Sequence, residues 1–359
     1  MAADLYTDDP SWIRPLDRDI HAVFRAETNP RVAAGAPFRR WILKDGQGRT
    51  TGRIAAFQHP AQEGAHLGPW GGIGFFECVD EMEAARLLFD AALNWLRAHH
   101  CQYVQGPINF GERDRWWGLL AEGFHPPIYG MPYHRPYYQK LFEQYGFEVD
   151  FRQFTFRKKL SDGPPPPLVR FAKRAYQLPG YEYVAIDKKH LDQFTRDFRK
   201  IYNQAWADYE VQVKPLSEQQ AFQLMKDIRP IIDERLMWFA YYEDEPIGFF
   251  IMLPDINQIV RKLNGRYGWW EKMKFWYYLR RSFIDNVFGV VFGIVPDHQR
   301  KGIESALALS FRDTAQQKNF PYRYLELNWI GDFNKNMIHF AKLLGGKVYK
   351  THITYKMEL

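Results

Sequence analysis

The sequence predicts an α/β protein with a mixed β-sheet (α+β in its strand directions), and it predicts that fold twice in tandem. Three observations carry the expectation. Strand-like and helix-periodic segments alternate, which calls for crossover connections between neighbouring strands. The order of elements in residues 1–160 recurs in residues 168–359, although the two sequences barely match. Between them lies SDGPPPP at 161–167, whose consecutive prolines continue neither a helix nor a central strand and form an extended spacer. A chain of 359 residues is long enough for two cores.

In the first unit, FRRWILKD and RTTGRIAAF flank the turn GQG as a strand hairpin, and GGIGFFECV is a third strand. MEAARLLFDAALNWLRAHH has helical spacing throughout, with Asp80 placed to cap its start. CQYVQGP is a strand, PYYQKLFEQYG a short helix stopped by Gly146, and FEVDFRQFTFRKKL a strand. In the second unit, YEYVAID is a strand, followed by the helices LDQFTRDFRKIYNQAW and EQQAFQLMKDIRPIID. LMWFAYYEDEPIGFFIML is a hairpin turning at EDEP. After an insert come the strand NVFGVVFGIVP, the helix IESALALSFRDTAQQKN, the strand YRYLELNWI and the helix NKNMIHFAKLLGG. KVYKTHITYKMEL reads as a closing strand pair.

Composition excludes several classes. Apolar residues at 46% and charged residues at 25% are those of a globular chain. No apolar run reaches the roughly 18 residues of a membrane span. The start, MAADLYTDDPSW, has neither the basic nor the apolar region of a secretion signal. Cys78 and Cys101 are too few for a disulfide framework and read as buried small hydrophobes in a reducing cytoplasm. No His or Cys spacing suits a metal, so none is expected. Aromatic residues reach 17% of the chain, enough to fill a core or line an elongated pocket.

The net charge of +6 has one location. The insert at 256–284 holds Arg261, Lys262, Arg266, Lys272, Lys274, Arg280 and Arg281 against Glu271 alone, and the rest of the chain is neutral. Basic residues interleave there with Tyr267, Trp269, Trp270, Phe275, Trp276, Tyr277 and Tyr278. The pattern fits an anionic membrane surface, nucleic acid or an acidic acceptor, or else a lid with its aromatics turned inward over a site, the lid being slightly favoured. Nucleic acid ranks last, because no recognition motif accompanies the patch.

The segment with most chemistry is VFGIVPDHQRKGIESAL, residues 291–307. A strand ends at Pro296, a polar turn of Gln299, Arg300, Lys301 and Gly302 follows, and a helix begins with Ile303 and Ser305 in its first turn. Backbone N–H groups in such a turn converge on an anion, and the helix start adds partial positive charge. That arrangement suits a pyrophosphate.

Gln299-Arg300-Lys301-Gly302-Ile303 resembles the acetyl-CoA pyrophosphate loop of the GNAT acyltransferase superfamily, whose pattern is Gln/Arg-x-x-Gly-x-Gly/Ala. Asn334, eleven residues before Gly345, resembles the Asn that opens the family's later helix beside the CoA arm. GFFECVD, GPINFGERDRWWGLLAEGF, GMPYHRPYYQKLFEQYGF and LGGKVYKTHITYKMEL resemble bacterial tandem GNAT-like proteins. The resemblance implies two GNAT-like domains, with acetyl-CoA or a longer acyl-CoA as co-substrate. Two positions depart from the pattern: Glu304 replaces the final Gly/Ala of the loop, and Ala341 replaces a Tyr that often protonates the leaving thiolate. The first unit has Asp80, Glu81 and Glu83 where an anion loop would be, so it is expected not to bind CoA.

The resemblance further implies that the thioester lies between two parallel strands that splay apart. Residues 288–295 would be one of them, with a backbone N–H near Ile294 or Val295 polarising the carbonyl. Residues 324–330 would be the other. Glu326 there is a candidate base for an attacking ammonium, directly or through water, and Asn328 on the same side could orient a water. The loop at 106–138, with Trp116 and Trp117 beside Glu112, Arg113, Asp114 and Arg115, is either a substrate loop or a staple between the units. The expected function is N-acyl transfer from acyl-CoA to a small or amphipathic amine acceptor. The alternatives are a non-catalytic, lipid-associated module or a transferase using aminoacyl-tRNA.

Overall fold

A computed structural model describes residues 2–59, 69–111, 113–205, 215–281, 284–317 and 319–359. Glu112, one of the loop residues singled out above, lies outside the described residues, as do two positions of the insert, 282 and 283.

The first half begins with short helices α1 (Ala2–Leu5), α2 (Asp17–Val23) and α3 (Pro30–Ala33). It continues with strands β1 (Phe38–Lys44), β2 (Thr50–His59) and β3 (Trp70–Cys78), helix α4 (Met82–Ala98), β4 (Tyr103–Gly106), β5 (Leu119–Glu122), α5 (Tyr138–Tyr145) and β6 (Glu148–Lys159). Helix α4 buries Ala85, Leu88, Phe89, Ala92, Leu93 and Leu96, one apolar stripe at helical spacing. Its N-cap is Glu81, with no side-chain capping bond, so Asp80 does not cap it. Helix α5 ends as its sequence predicts, with Gly146 at φ 114°.

The second half comprises α6 (Pro166–Ala175), β7 (Tyr181–Ala185), α7 (Leu191–Ala205), α8 (Glu218–Ile228), β8 (Met237–Tyr242) and β9 (Glu245–Pro254). The insert forms α9 (Asn257–Val260) and α10 (Trp269–Arg280). Then come β10 (Asn286–Ile294), α11 (Ile303–Ala315), β11 (Tyr324–Gly331), α12 (Lys335–Leu343) and β12 (Lys347–Glu358). The closing segment is therefore one strand of 12 residues rather than a strand pair.

All the strands join one sheet, in the order β1-β2-β3-β4-β12-β6-β11-β10-β9-β8-β7, with β5 beside β12. The two halves exchange their last strands. Strand β6, which ends the first half, pairs with β11 of the second. Strand β12, which ends the chain, pairs with β4 and β5 of the first and with β6. The sheet is mixed: β3–β4 and β10–β11 run parallel, and the ladders that flank them are antiparallel. One core gathers around α4 and α5, another around α6, α7 and α11, and a third joins Ile13 and Leu16 to the insert.

The long loop after β4 works as a staple. Trp117 is buried with Phe57 and Phe110 in the first half. From the second half, Trp329 Nε1 donates to the Arg113 carbonyl at 2.8 Å, and Asn257 Nδ2 donates to the Pro127 carbonyl at 2.7 Å. Helix α10 turns its aromatic side chains outward, opposite to the inward lid: among its rings only Phe275 is fully buried.

Candidate active site between β10 and β11

Strands β10 and β11 pair from Asn286↔Tyr324 to Gly289↔Leu327 and no further, although β10 runs on to Ile294 and β11 to Gly331. The parting point is built on both strands. In β10 a bulge between Gly289 and Val291 breaks the register with β9. In β11 the ladder to β6 lapses between Leu327 and Ile330. Asn328 therefore lies where β11 is unpaired on either side, and its Oδ1 is buried without a hydrogen-bond partner. A buried amide oxygen left this way is costly unless something completes it.

The turn at the end of β10 has the predicted form. Gln299, Arg300 and Lys301 are exposed, Arg300 has φ 60°, and Gly302 has φ 84° at the N-cap of α11. Gln299 Nε2 donates to the Ile294 carbonyl at 2.9 Å, which ties the turn to its strand. Gly302 has a second duty. It is buried, and a Cβ there would stand 3.0 Å from the Phe171 carbonyl of α6. Ile303 and Ser305 are fully buried, so their side chains face the core, and only their backbone N–H groups belong to the helix start. Beside Lys301 opens a recess of about 450 Å³ lined by Leu178, Pro179, Tyr181 and Tyr242. Exposed cations, a helix start and an aromatic recess fit a nucleotide-bearing polyanion. Glu304 in the first turn opposes it, although its charge is felt at Tyr183 on β7. Asn334 caps α12, its Oδ1 accepting the Met337 N–H at 3.1 Å, and Ala341 is buried.

Ile294 and Val295 are buried at the far end of β10, and the Val295 N–H donates to the Ile247 carbonyl at 2.9 Å. That group is engaged in the sheet. The interruption of the ladder falls instead at the Val290 bulge, beside the parting point.

On the face of β11 that carries Glu326 lies a charged cluster. Glu326 is 2% exposed. Its Oε2 accepts from Lys350 Nζ at 2.8 Å and its Oε1 from Asn286 Nδ2 at 3.2 Å, and Arg157 Nε stands 3.8 Å from Oε1. The Arg157 guanidinium lies over the rings of Tyr324, at 3.8 Å, and Tyr349, at 4.4 Å, and donates to Tyr349 Oη at 2.6 Å. His125, from the staple loop, stacks on Tyr349 with ring centroids 4.2 Å apart. Partial burial and the charges of Lys350 and Arg157 lower its pKa, so this imidazole is neutral near pH 7. Nearby, burial, reinforced by the charge of Glu326, pushes the Asp255 carboxyl up to about 7.

The strand splay, the turn and the place of Glu326 and Asn328 on β11 were legible in sequence. Arg157, Lys350 and His125 were not, because they come from the exchanged strands and from a loop, and Asn286, at the start of β10, meets Glu326 only through the pairing of β10 with β11. In the first half the comparable gap is filled. Strands β3 and β4 pair only from Trp70↔Tyr103 to Gly72↔Gln105. Beyond that, the Ile108 N–H donates to the Ile73 carbonyl at 2.8 Å, and an ideal Cβ on Gly74 would fall 1.9 Å from the Ile108 carbonyl oxygen. No group of three or more metal-ligating side chains occurs among the described residues.

Residues 194–345 match the family model "Acetyltransferase (GNAT) family". The chain is 28% identical, over 100% of its own length and 93% of the relative's, to "Bacterial ceramide synthase" of Caulobacter vibrioides. It is similar in fold to a tandem GNAT protein from the clavulanic acid biosynthesis pathway, with TM-score 0.52, 12% identity and coverage of 94% of this chain and 87% of that one. It is also similar to a GCN5-related glucosamine N-acetyltransferase region of a fungal multi-domain protein, with TM-score 0.55, 12% identity and coverage of 99% of this chain and 36% of that one. The chain has a tandem GNAT fold, and the stretch that matches the acetyltransferase family model lies in its second half.

Proposed function

We propose that the protein transfers an acyl group from acyl-CoA to the amine of an amphipathic acceptor. The observation that carries this reading is the parting of β10 and β11 at Gly289 and Leu327, with the unpartnered Asn328 Oδ1 at its apex and the cationic turn of Gln299–Lys301 at its end. The name of the full-length relative supports the acceptor class, since a ceramide is a fatty acid in amide linkage to a long-chain amino alcohol.

Acyl-CoA would supply, when bound, an acyl group activated as a thioester. Residues 299–303 would hold its pyrophosphate, with the Tyr181–Tyr242 recess beside them for the nucleotide. Backbone N–H groups released at the Val290 bulge polarise the acyl carbonyl. The acceptor enters from the face of Glu326. A neutral imidazole at His125 takes the proton its ammonium must lose, and the Glu326 carboxylate, held by Lys350 and Arg157, orients the amine or its water. The amine nitrogen forms a bond to the acyl carbon as the carbon–sulfur bond breaks, and the second proton the nitrogen sheds passes to the leaving sulfur, directly or through water, giving an amide and the free thiol. The first half would take no CoA, because Ile108 fills its gap.

Calorimetry with CoA tests the reading. Wild type should bind it, and Arg300→Glu with Lys301→Glu should weaken binding by at least about tenfold, or about 1.4 kcal/mol. Wild type without measurable affinity would overturn it.

A further inference from the structure

We propose that α10 is a membrane-surface helix, lying in the plane of an anionic bilayer and seating the protein on it. At 100° per residue, Trp269, Met273, Trp276 and Arg280 fall along one line of the helix, with Trp270 and Tyr277 beside it. The apolar members are exposed by 67% (Trp269), 64% (Trp270), 48% (Met273), 45% (Trp276) and 55% (Tyr277). Five large apolar side chains thus stand in water on one helix of 12 residues. Single exposed hydrophobes are ordinary, whereas a contiguous row is an interaction surface.

The opposite face fixes the helix to the body. Phe275 is 6% exposed and packs with Ile13, Leu16, Ile259, Val260 and Leu263. The outward row is therefore held out by packing on its own back.

Charge names the occupant. Lys272 flanks the aromatic row on one side, and Lys274 and Arg281 flank it on the other, all exposed. The segment's only acid, Glu271, is turned to the helix start, where its carboxylate accepts the Gly268 N–H at 3.0 Å. The whole net charge of the chain is concentrated here. A second copy of the same patch would be repelled. Single-stranded nucleic acid stacks its bases along an aromatic groove, whereas this row is a convex ridge with Met273 in its middle. Tryptophan and tyrosine rings flanked by Lys and Arg suit the headgroup layer of an anionic membrane. At about 18 Å the helix is too short to cross a bilayer of about 30 Å, so it lies on it.

The inference needs nothing from the acyl-transfer reading, and its test is separate. The full chain is floated with vesicles of phosphatidylcholine, with and without phosphatidylglycerol, at low and high salt. Flotation with the anionic vesicles at low salt is expected, falling at least about tenfold at high salt, with a blue shift of tryptophan emission on binding. Trp269→Ala with Trp276→Ala, and separately Lys272→Glu with Lys274→Glu, should each weaken flotation at least about tenfold. These exposed changes should leave the thermal midpoint and CoA affinity as they were. No flotation of wild type at low salt overturns the proposal, as does undiminished flotation of both variants. Retention of RNA in place of vesicles would overturn it too, in favour of a nucleic-acid surface.

Discussion

Lys350 Nζ lies 2.8 Å from Glu326 Oε2, and the two side chains are 4% and 3% exposed. They come from β12 and β11, which are separated in the sheet by β6. The pair therefore closes across the strand exchange, over the one strand the first half contributes to the second. Buried charges of this kind are held by each other, and removing one strands the other. Lys350→Met should lower unfolding free energy by about 3–5 kcal/mol. Lys350→Met combined with Glu326→Gln should recover most of that loss. Denaturant titration of the two singles and the double measures the coupling, and a double no better than Lys350→Met alone would mean that the ion pair is not what the site needs.

Gly302 serves the turn and the packing of α6 at once. Its φ of 84° is costly for a β-branched residue, and the Phe171 carbonyl leaves no ordinary room for a Cβ. Gly302→Val should cost about 1–3 kcal/mol of stability and also weaken CoA binding at least about tenfold. Thermal unfolding and calorimetry on the same sample separate the two effects. Equal CoA affinity in the variant would remove the turn from the site.

The inequality of the halves gives a stoichiometry. The gap between β3 and β4 is occupied by Ile108, and that between β10 and β11 stands beside the unpartnered Oδ1 of Asn328. Titration should give one CoA per chain, and CoA soaked into crystals should lie against residues 299–303. Density at the start of α4 would contradict the assignment.

Much of this was legible in the sequence because it is local. The periodicity of α4, the stop at Gly146, the turn before α11 and the cap at Asn334 follow from residues within a few positions of one another. What was not legible is what depends on which strands lie side by side. Nothing in KVYKTHITYKMEL says that its strand leaves its own half to pair with β4, or that Lys350 reaches Glu326 across β6. Alternation tells which residues share a face and is silent about the neighbour. Glu326 was readable as a carboxylate on a strand of the sheet, and the particular cations that meet it, Lys350 and Arg157, were not. The outward row of α10 was misjudged for a related reason. Aromatic residues in a short helix look like core, and only the seating of Phe275 shows which side is in.

Buried imidazoles weigh on the acid side of the stability profile, those of His59, His134 and His352 among them. Burial holds the pKa of His134 down to about 3, and that of His352 down to about 4. Both are neutral in the folded protein. His134 Nδ1 accepts the Leu120 N–H at 3.0 Å, and protonating it would destroy that bond. In the unfolded chain each takes its proton near pH 6.5. The unfolded state therefore binds more protons below that value, and stability must fall as pH falls from about 6.5 toward about 4. The loss is on the order of 3 kcal/mol per imidazole by pH 4. Asp255 acts in the opposite sense. Its folded pKa of about 7 lies above the unfolded carboxyl value of about 4, so it favours the folded state at the acid end of that window and costs stability as pH rises through it. Asp255→Asn keeps an oxygen to accept the Tyr129 and Asn257 N–H groups, so it should remove that term without undoing the loop. Denaturant midpoints measured from pH 4 to pH 8 should show wild type peaking near neutrality. The Asp255→Asn profile should fall more steeply toward acid and lie higher above pH 7. A variant profile parallel to wild type across the window would show that Asp255 is ionised throughout, and would return its proton to solvent.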